Sequence, residues 1–327
     1  DHRLGGVELS GKAIAAISLD HAPVDQTGCP IAQAIKKGAL TVNAKAFIDC
    51  TYEGDLLAMS GTTYTWGRES REQYGESLAG VRPNLWLYDI DPYKKEGDPQ
   101  SGLIPHVTNW TIGEEGSADK LTMGYCFRYK FNKSGEGIAL PKPTHYDPAD
   151  FELFRRAMRD GVDIYSARSF NRLGQAERDT FKPKAAHKLK PRLFGTNLSR
   201  CLMTHTIFGC NVDYPDGDWA TRSKIWKFHQ DFLVNFTHFL KTDPVVPDDL
   251  RKKAENLRFA AGDFDETQGW PHQFYVREAR RMISDYVVTQ NDMEAKRTPK
   301  HPIGLASYGV DDWSYATVAQ NLSLIHI

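Results

Sequence analysis

The sequence lacks the features of membrane-spanning, disulfide-stabilised and metal-binding proteins. No apolar run approaches the length of a transmembrane helix, so no membrane span is predicted. The number of cysteines is odd, and their scattered spacing predicts neither a disulfide framework nor a metal site. They are Cys29, Cys50, Cys126, Cys201 and Cys210.

The sequence also has no excess of charge of either sign. Lys plus Arg number 41 and Asp plus Glu 42, for a net charge of −1, so we expect no nucleic-acid partner. The 327 residues, 40% of them hydrophobic, suffice for about two domains with a real core. Neither the oligomeric state nor the compartment, cytoplasmic or exported, follows from the sequence.

Histidines in a catalytic or metal-binding pattern are missing as well. The candidates stand alone, without the spacing of a metal ligand pair or a triad, so the sequence predicts no metal site and identifies no catalytic base. His272 is the best placed of them, just before an arginine-rich segment. The isolated histidines are His106, His145, His205, His229, His272 and His301.

What the sequence does contain is a strand, turn and helix pattern at residues 45–61. Residues 45–49 predict a strand buried on both faces, and residues 56–59 predict a helix. Open α/β sheets bind ligands outside the carboxyl ends of such strands, where Gly54 would let the backbone approach a cofactor. An ordinary connection in which Asp55 caps the helix is the alternative. The polar residues at the turn are Asp49, Thr51, Glu53, Gly54 and Asp55, and Cys50 is expected to be buried beside them.

Other elements are predicted from capping residues and periodicity. Asp147 followed by Pro148 predicts the start of one helix. Phenylalanines at helical spacing predict a second helix over residues 219–240, and Pro247 starts a third. Residues 25–28 form a turn. The remaining strand candidates are residues 11–17, 39–42, 274–276 and 286–289.

A second chemical signal is the segment with Arg277, Glu278, Arg280 and Arg281. Three guanidinium groups within five residues need anionic partners if they are buried, either acidic side chains or an anionic ligand. A solvated or internally paired charge run is the alternative. A similar polar and aromatic group, a candidate for the substrate side, comprises Arg68, Glu69, Tyr74 and Glu76, whereas Asn211, Asp213 and Tyr214 fit a helix-entry turn.

Five segments together resemble a family of bacterial FAD-dependent oxidoreductases in the glutathione-reductase-like flavoprotein superfamily, some of whose members carry the label "xanthan lyase". The resemblance covers roughly residues 40–318, in order. The segments are residues 48–56, 63–80, 211–219, 239–247 and 274–287.

The resemblance implies an α/β fold class, with an incomplete FAD/NAD(P)-binding (Rossmann-like) domain and a mixed α+β substrate or cap domain. It implies FAD as cofactor and hydride transfer to the flavin from a polar small molecule, carbohydrate-like or a carboxylic acid. The turn residues Asp49, Thr51, Glu53, Gly54 and Asp55 would bind FAD. Those facing substrate or flavin would be Arg68, Glu69, Tyr74, Arg277, Arg280 and Arg281.

The chain departs from the family in lacking a Gly-x-Gly-x-x-Gly turn. We therefore expect a fragment without the N-terminal and C-terminal parts, inactive by itself. We expect residues 1–62 to be the remnant of the FAD-binding domain and residues 63–270 to be the substrate or cap domain. Residues 271–321 would return towards the FAD-binding domain, and residues 322–327 would be non-native read-through.

A cofactor-free polysaccharide lyase or hydrolase is the alternative enzyme, in which aromatic rings stack on sugars and carboxylates act as acid and base. The turn at residues 48–56 would have no role there. A non-catalytic binding module is the third hypothesis, disfavoured because polar residues cluster at element ends. The aromatic residues behind the lyase alternative are Trp86, Trp110, Trp219, Trp226 and Trp270.

Overall fold

Three antiparallel strands, β1 (His2–Ser10), β2 (Ala13–His21) and β3 (Lys36–Asn43), form the N-terminal sheet of a computed structural model. The structure describes residues 1–82, 86–88, 90–160, 168–169, 205–305, 313–320 and 323–326. Residues 39–42 lie in β3 as predicted. The strand predicted from residue 11 begins at Ala13 instead, because Gly11, at φ +63°, and Lys12 form the hairpin turn.

The strand predicted at residues 45–49 is wrong. These residues are irregular and find no partner strand in the described part of the chain, and Ile48 is 84% exposed. The Asp49 side chain organises a turn here, since its carboxylate accepts hydrogen bonds from the backbone N–H groups of Thr51 and Leu57. Cys50 is exposed rather than buried. The helix that follows, α1 (Asp55–Met59), matches the prediction.

The predicted helices form around a phenylalanine-rich core. After a short α2 (Arg71–Tyr74), Asp147 caps a 3-10 turn that leads into α3 (Glu152–Arg159). Asp218 caps the long α4 (Trp219–Thr242), which stops before Pro244 because proline cannot continue it, and α5 (Asp248–Glu255) starts after Pro247. The core aromatic residues of α3 and α4 and the turn before α3 are Phe151, Phe154, Phe232, Phe236 and Phe239.

Two short strand pairs bring distant segments to the arginine-rich region. β4 (Tyr64–Thr65) pairs with β12 (Arg281–Met282), and β6 (Cys126–Phe127) pairs with β11 (Phe274–Tyr275). The strand predicted at residues 286–289 is wrong, because Thr289 forms a capping box that starts the helix α6 (Gln290–Met293).

The remaining strands complete two small antiparallel sheets. One sheet has the strand order β7 (Phe131–Asn132), β10 (Arg258–Phe259) and β8 (Ile138–Ala139). The other has the order β13 (Thr317–Gln320), β14 (Ser323–His326), β5 (Trp86–Tyr88) and β9 (Arg168–Ser169). No helix within the described ranges is long and apolar enough to cross a membrane. Cys201 and the Trp86 side chain lie outside the described residues.

Candidate functional site

Asp55, the first residue of α1, lies between two arginines. Its Oδ2 accepts a hydrogen bond from Nη1 of Arg222 at 2.8 Å, and its Oδ1 accepts one from Nη1 of Arg280 at 2.7 Å. Burial alone would raise the pKa of Asp55, but the two guanidinium groups outweigh it and hold the pKa below its usual value. Asp55 therefore does not cap α1; it neutralises two buried cations.

Arg222 comes from the first turn of α4 and is 1% exposed. Besides Asp55, it donates to the carbonyl oxygens of Tyr214 and Pro215, each at 3.1 Å. These hydrogen bonds connect the turn before α4 to the first residue of α1. The helix-entry turn expected at residues 211–214 is consistent with this position, and Asn211 anchors it by accepting the Tyr125 N–H at 3.1 Å.

Arg280 links Asp55 to a second aspartate, Asp216. Its Nε donates to Oδ1 of Asp216 at 2.8 Å, and the Tyr64 hydroxyl donates to the same oxygen at 2.8 Å. Burial lowers the pKa of Arg280, but Asp216 and Asp55 more than compensate and raise it overall. We call Asp55, Arg222, Arg280, Asp216 and Tyr64 the Asp55 network.

Gly54 and Glu53 lie directly against this network. Gly54 adopts φ +66°, a backbone conformation that glycine takes without strain, and Arg280 packs against it. Glu53 accepts the Tyr214 hydroxyl at 3.2 Å, and its burial raises its pKa. Glu53 is thus the acidic neighbour of Asp55 with the opposite pKa shift.

The Glu53→Gln variant is expected to be more stable than the parent at pH 8 and equally stable at pH 4. A carboxyl whose pKa is raised by folding contributes stability that is present below its unfolded pKa and lost as the pH rises through the folded pKa. Glutamine keeps the oxygen that accepts from Tyr214 and carries no charge. Thermal unfolding at both pH values measures the difference, and an equal change in Tm at both would contradict the pKa shift.

Three other predicted site residues pair with protein groups. Arg68 forms a bidentate ion pair with Asp119, and Glu69 accepts from Nη2 of Arg281 at 2.6 Å. The main-chain carbonyl of Tyr74 accepts from Asn291 at 3.2 Å. The internally paired alternative for the arginine-rich segment therefore describes Arg281 in this structure, and Arg68 and Glu69 are paired as well.

Arg277 lies against two aromatic rings. Its guanidinium carbon lies 3.5 Å from the centre of the Trp313 ring and 4.7 Å from that of Tyr275, and its Nε donates to the Gly124 carbonyl at 2.8 Å. Burial lowers the pKa of Arg277. The neighbouring Glu278 points inward, accepts from the Met123 N–H at 2.8 Å, and has a pKa raised by burial.

A cleft of about 500 Å³ opens beside the Asp55 network, and Asp216 belongs to both. Its wall includes a cation fixed on an aromatic ring: Nζ of Lys120 lies 3.9 Å from the centre of the Trp66 ring and 3.1 Å from the Trp66 carbonyl oxygen. The lining residues are Trp66, Trp110, Lys120, Leu121, Val212, Asp213, Asp216, Gly217 and Thr221.

Four of the described histidines are unsuited to act as a general base here. Burial lowers the pKa of His106 to about 4, of His205 to about 3 and of His229 to about 4, so all three are neutral and pack against aromatic rings. His272 lies on the surface, 2.9 Å from Glu266. The described residues contain no cluster of metal-ligating side chains.

Residues 15–323 match the family model described as FAD dependent oxidoreductase. Comparison with curated proteins and with solved structures found no match.

Proposed function

Because the chain belongs to the FAD dependent oxidoreductase family, we propose that it oxidises a polar small molecule with FAD as its cofactor. The family implies an FAD-binding Rossmann-like domain. The superfamily proposed for the chain is the glutathione-reductase-like flavoproteins, with which the segments at residues 48–56 and 63–80 are in keeping. When bound, FAD supplies the hydride acceptor.

The exposed loop from Ile48 to Tyr52 is the part of the predicted cofactor turn that fits FAD. Ile48, Cys50, Thr51 and Tyr52 are exposed, and an exposed isoleucine gains by packing against a flat apolar ring system. Asp49 lies behind the loop and shapes it by accepting the N–H and hydroxyl of Thr51. We propose that this loop contacts the cofactor.

Glu53 and Asp55 would act from behind the loop rather than on the cofactor. Their carboxylates are engaged by Tyr214 and by two arginines. Asp55 would hold the loop in place, and Arg280 would fix it relative to the cleft through Asp216. Arg280 is thus a positioning residue in this proposal, since its Nε and Nη1 are spent on carboxylates.

The observation that carries the proposal is the continuity of these parts. The loop at residues 48–52 leads into the Asp55 network, and that network reaches the wall of an open cleft large enough for a small molecule. Cofactor and substrate would therefore lie on two sides of one ionic cluster.

An absorbance spectrum of the protein expressed from the whole gene, with analysis of the flavin released on denaturation, tests the proposal. We expect the bands of oxidised flavin, and bleaching of those bands when the substrate is added without oxygen. A folded, colourless protein that fails to bind added FAD would contradict it. Cleavage of a uronate-containing polymer by such a protein would favour the cofactor-free lyase instead.

A further inference from the structure

The cleft beside the Asp55 network combines aromatic and hydrogen-bonding groups in one small volume. Trp66 and Trp110 supply two indole rings to its lining, and Asp213, Asp216 and Lys120 supply charged groups. About 500 Å³ falls within the range of small-molecule sites. A ligand that satisfies this lining must offer both an apolar face and several hydrogen-bonding groups.

The polar groups of the cleft favour a ligand rich in hydroxyl groups. Asp213 is exposed, and its carboxylate, like Oδ2 of Asp216, has no hydrogen-bond donor among the described residues. Carboxylates only accept hydrogen bonds at neutral pH, whereas the Lys120 ammonium only donates them. A hydroxyl group donates and accepts, so it can meet either kind of partner.

The charges disfavour strongly anionic and cationic ligands. A phosphate or a dicarboxylate attracted by Lys120 would be repelled by Asp213 and Asp216, and an amine attracted by these carboxylates would be repelled by Lys120 and by the Arg280 guanidinium behind Asp216. Lys120 and Arg280 together offset the two carboxylates, leaving the cleft close to neutral. An uncharged polyhydroxylated ligand avoids both penalties.

We propose that this cleft binds the ring of a neutral sugar. The C–H face of a pyranose packs against the indole of Trp66 or Trp110, and its hydroxyl groups donate to Asp213 and Asp216 and accept from Lys120. This inference rests on the proposed function, for which it names the substrate class.

Calorimetric titration of the purified protein with methyl glycosides of glucose, galactose and mannose tests the proposal, with methyl glucuronide and glucosamine as charged comparisons that keep the ring. We expect at least one neutral glycoside to bind more tightly than either charged sugar. Failure of all three glycosides to bind, or tighter binding of methyl glucuronide or glucosamine, would overturn it.

Two variants locate the binding in this cleft. Trp66→Ala and Asp213→Asn are each expected to raise the Kd of the bound glycoside about tenfold, the loss typical of one good contact. Asp213 is exposed, so its variant stays informative even if Trp66→Ala fails to fold. Asp248→Asn, at a side chain 91% exposed on α5, is the matched control and should leave the Kd unchanged.

Unchanged Kd values in both cleft variants would place the sugar elsewhere and overturn the assignment. Flavin content is measured in the same preparations. A protein that binds the glycoside, carries no flavin and fails to bind added FAD would refute the oxidoreductase proposal and leave the sugar site standing. A flavin-loaded protein that binds none of the three glycosides would refute the sugar site alone.

Discussion

Replacing Asp55 by alanine is expected to lower the free energy of unfolding by about 3–5 kcal/mol, the typical cost of removing one partner from a buried ion pair. The variant leaves Arg222, which is almost fully buried, with two carbonyl oxygens and two aromatic rings but no carboxylate bonded to it. It also removes one of the two carboxylates of Arg280. Most of the cost is therefore the uncompensated guanidinium of Arg222 rather than the lost attraction.

Urea denaturation at pH 7 measures this effect, with Asp231→Ala as the matched control. Asp231 pairs with Lys227 at 3.1 Å, but both side chains are 51% exposed, so we expect that change to cost less than about 1 kcal/mol. Equal costs for the two variants would show that the Asp55 network does not stabilise the fold.

The pH dependence gives a second measurement on Asp55. Its pKa is lower in the folded state, so its contribution to stability is present above the unfolded pKa and is lost as the pH falls through the folded pKa. The difference in stability between the parent and Asp55→Ala should therefore shrink on acidification below the ordinary range of an aspartate. A difference that grows on acidification would contradict this assignment.

Local signals in the sequence were enough to predict α1, α3, α4 and α5, whereas the short helices α2 and α6 were not predicted. The phenylalanine stripe lies within α4, and Asp147 and Pro148 lie in the turn that leads directly into α3, so each signal is next to the helix that it specifies. The strands at residues 45–49 and 286–289 were predicted wrongly because a strand also needs a partner. Asp49 and Thr289 used their side chains to bond the nearby backbone instead.

The candidate site could be predicted only in part, because its pairs are far apart in sequence. The arginine-rich segment correctly indicated a need for anions, and Asp55, Asp216 and Glu69 supply them. Arg222, 167 positions from Asp55, was missed, since an arginine in the first turn of a helix has no distinguishing pattern. Trp66 and Lys120 were missed as cleft residues because they lie 54 positions apart and meet only in the folded chain.

Gly67→Ala is expected to cost about 2–5 kcal/mol of stability and to damage the sugar cleft. Gly67 adopts φ +80°, where a residue with a Cβ is strained by about 1–2 kcal/mol. A Cβ there would also lie 2.5 Å from the Asp119 carbonyl oxygen and 2.7 Å from the Cα of Lys120. Backbone must move to relieve this overlap, which typically adds about 1–3 kcal/mol.

Gly61→Ala separates the two contributions. Gly61 has a similar φ of +75°, but a Cβ there would meet nothing within 4 Å, so only the conformational strain of about 1–2 kcal/mol applies. The difference between the two variants in urea denaturation therefore measures the overlap with the backbone at Asp119 and Lys120.

The same pair of variants tests how the cleft is built. Gly67 directly follows Trp66, and a Cβ at residue 67 would displace the backbone of Lys120. The Lys120 ammonium would then shift relative to the Trp66 ring and carbonyl oxygen that it contacts. Glycoside affinity should therefore fall in Gly67→Ala and persist in Gly61→Ala. Gly67→Ala could instead be less stable than Gly61→Ala and bind the glycoside with equal affinity. That result would mean that the backbone shift at Lys120 does not affect sugar binding and that Trp110 and Asp213 make the contacts with the sugar.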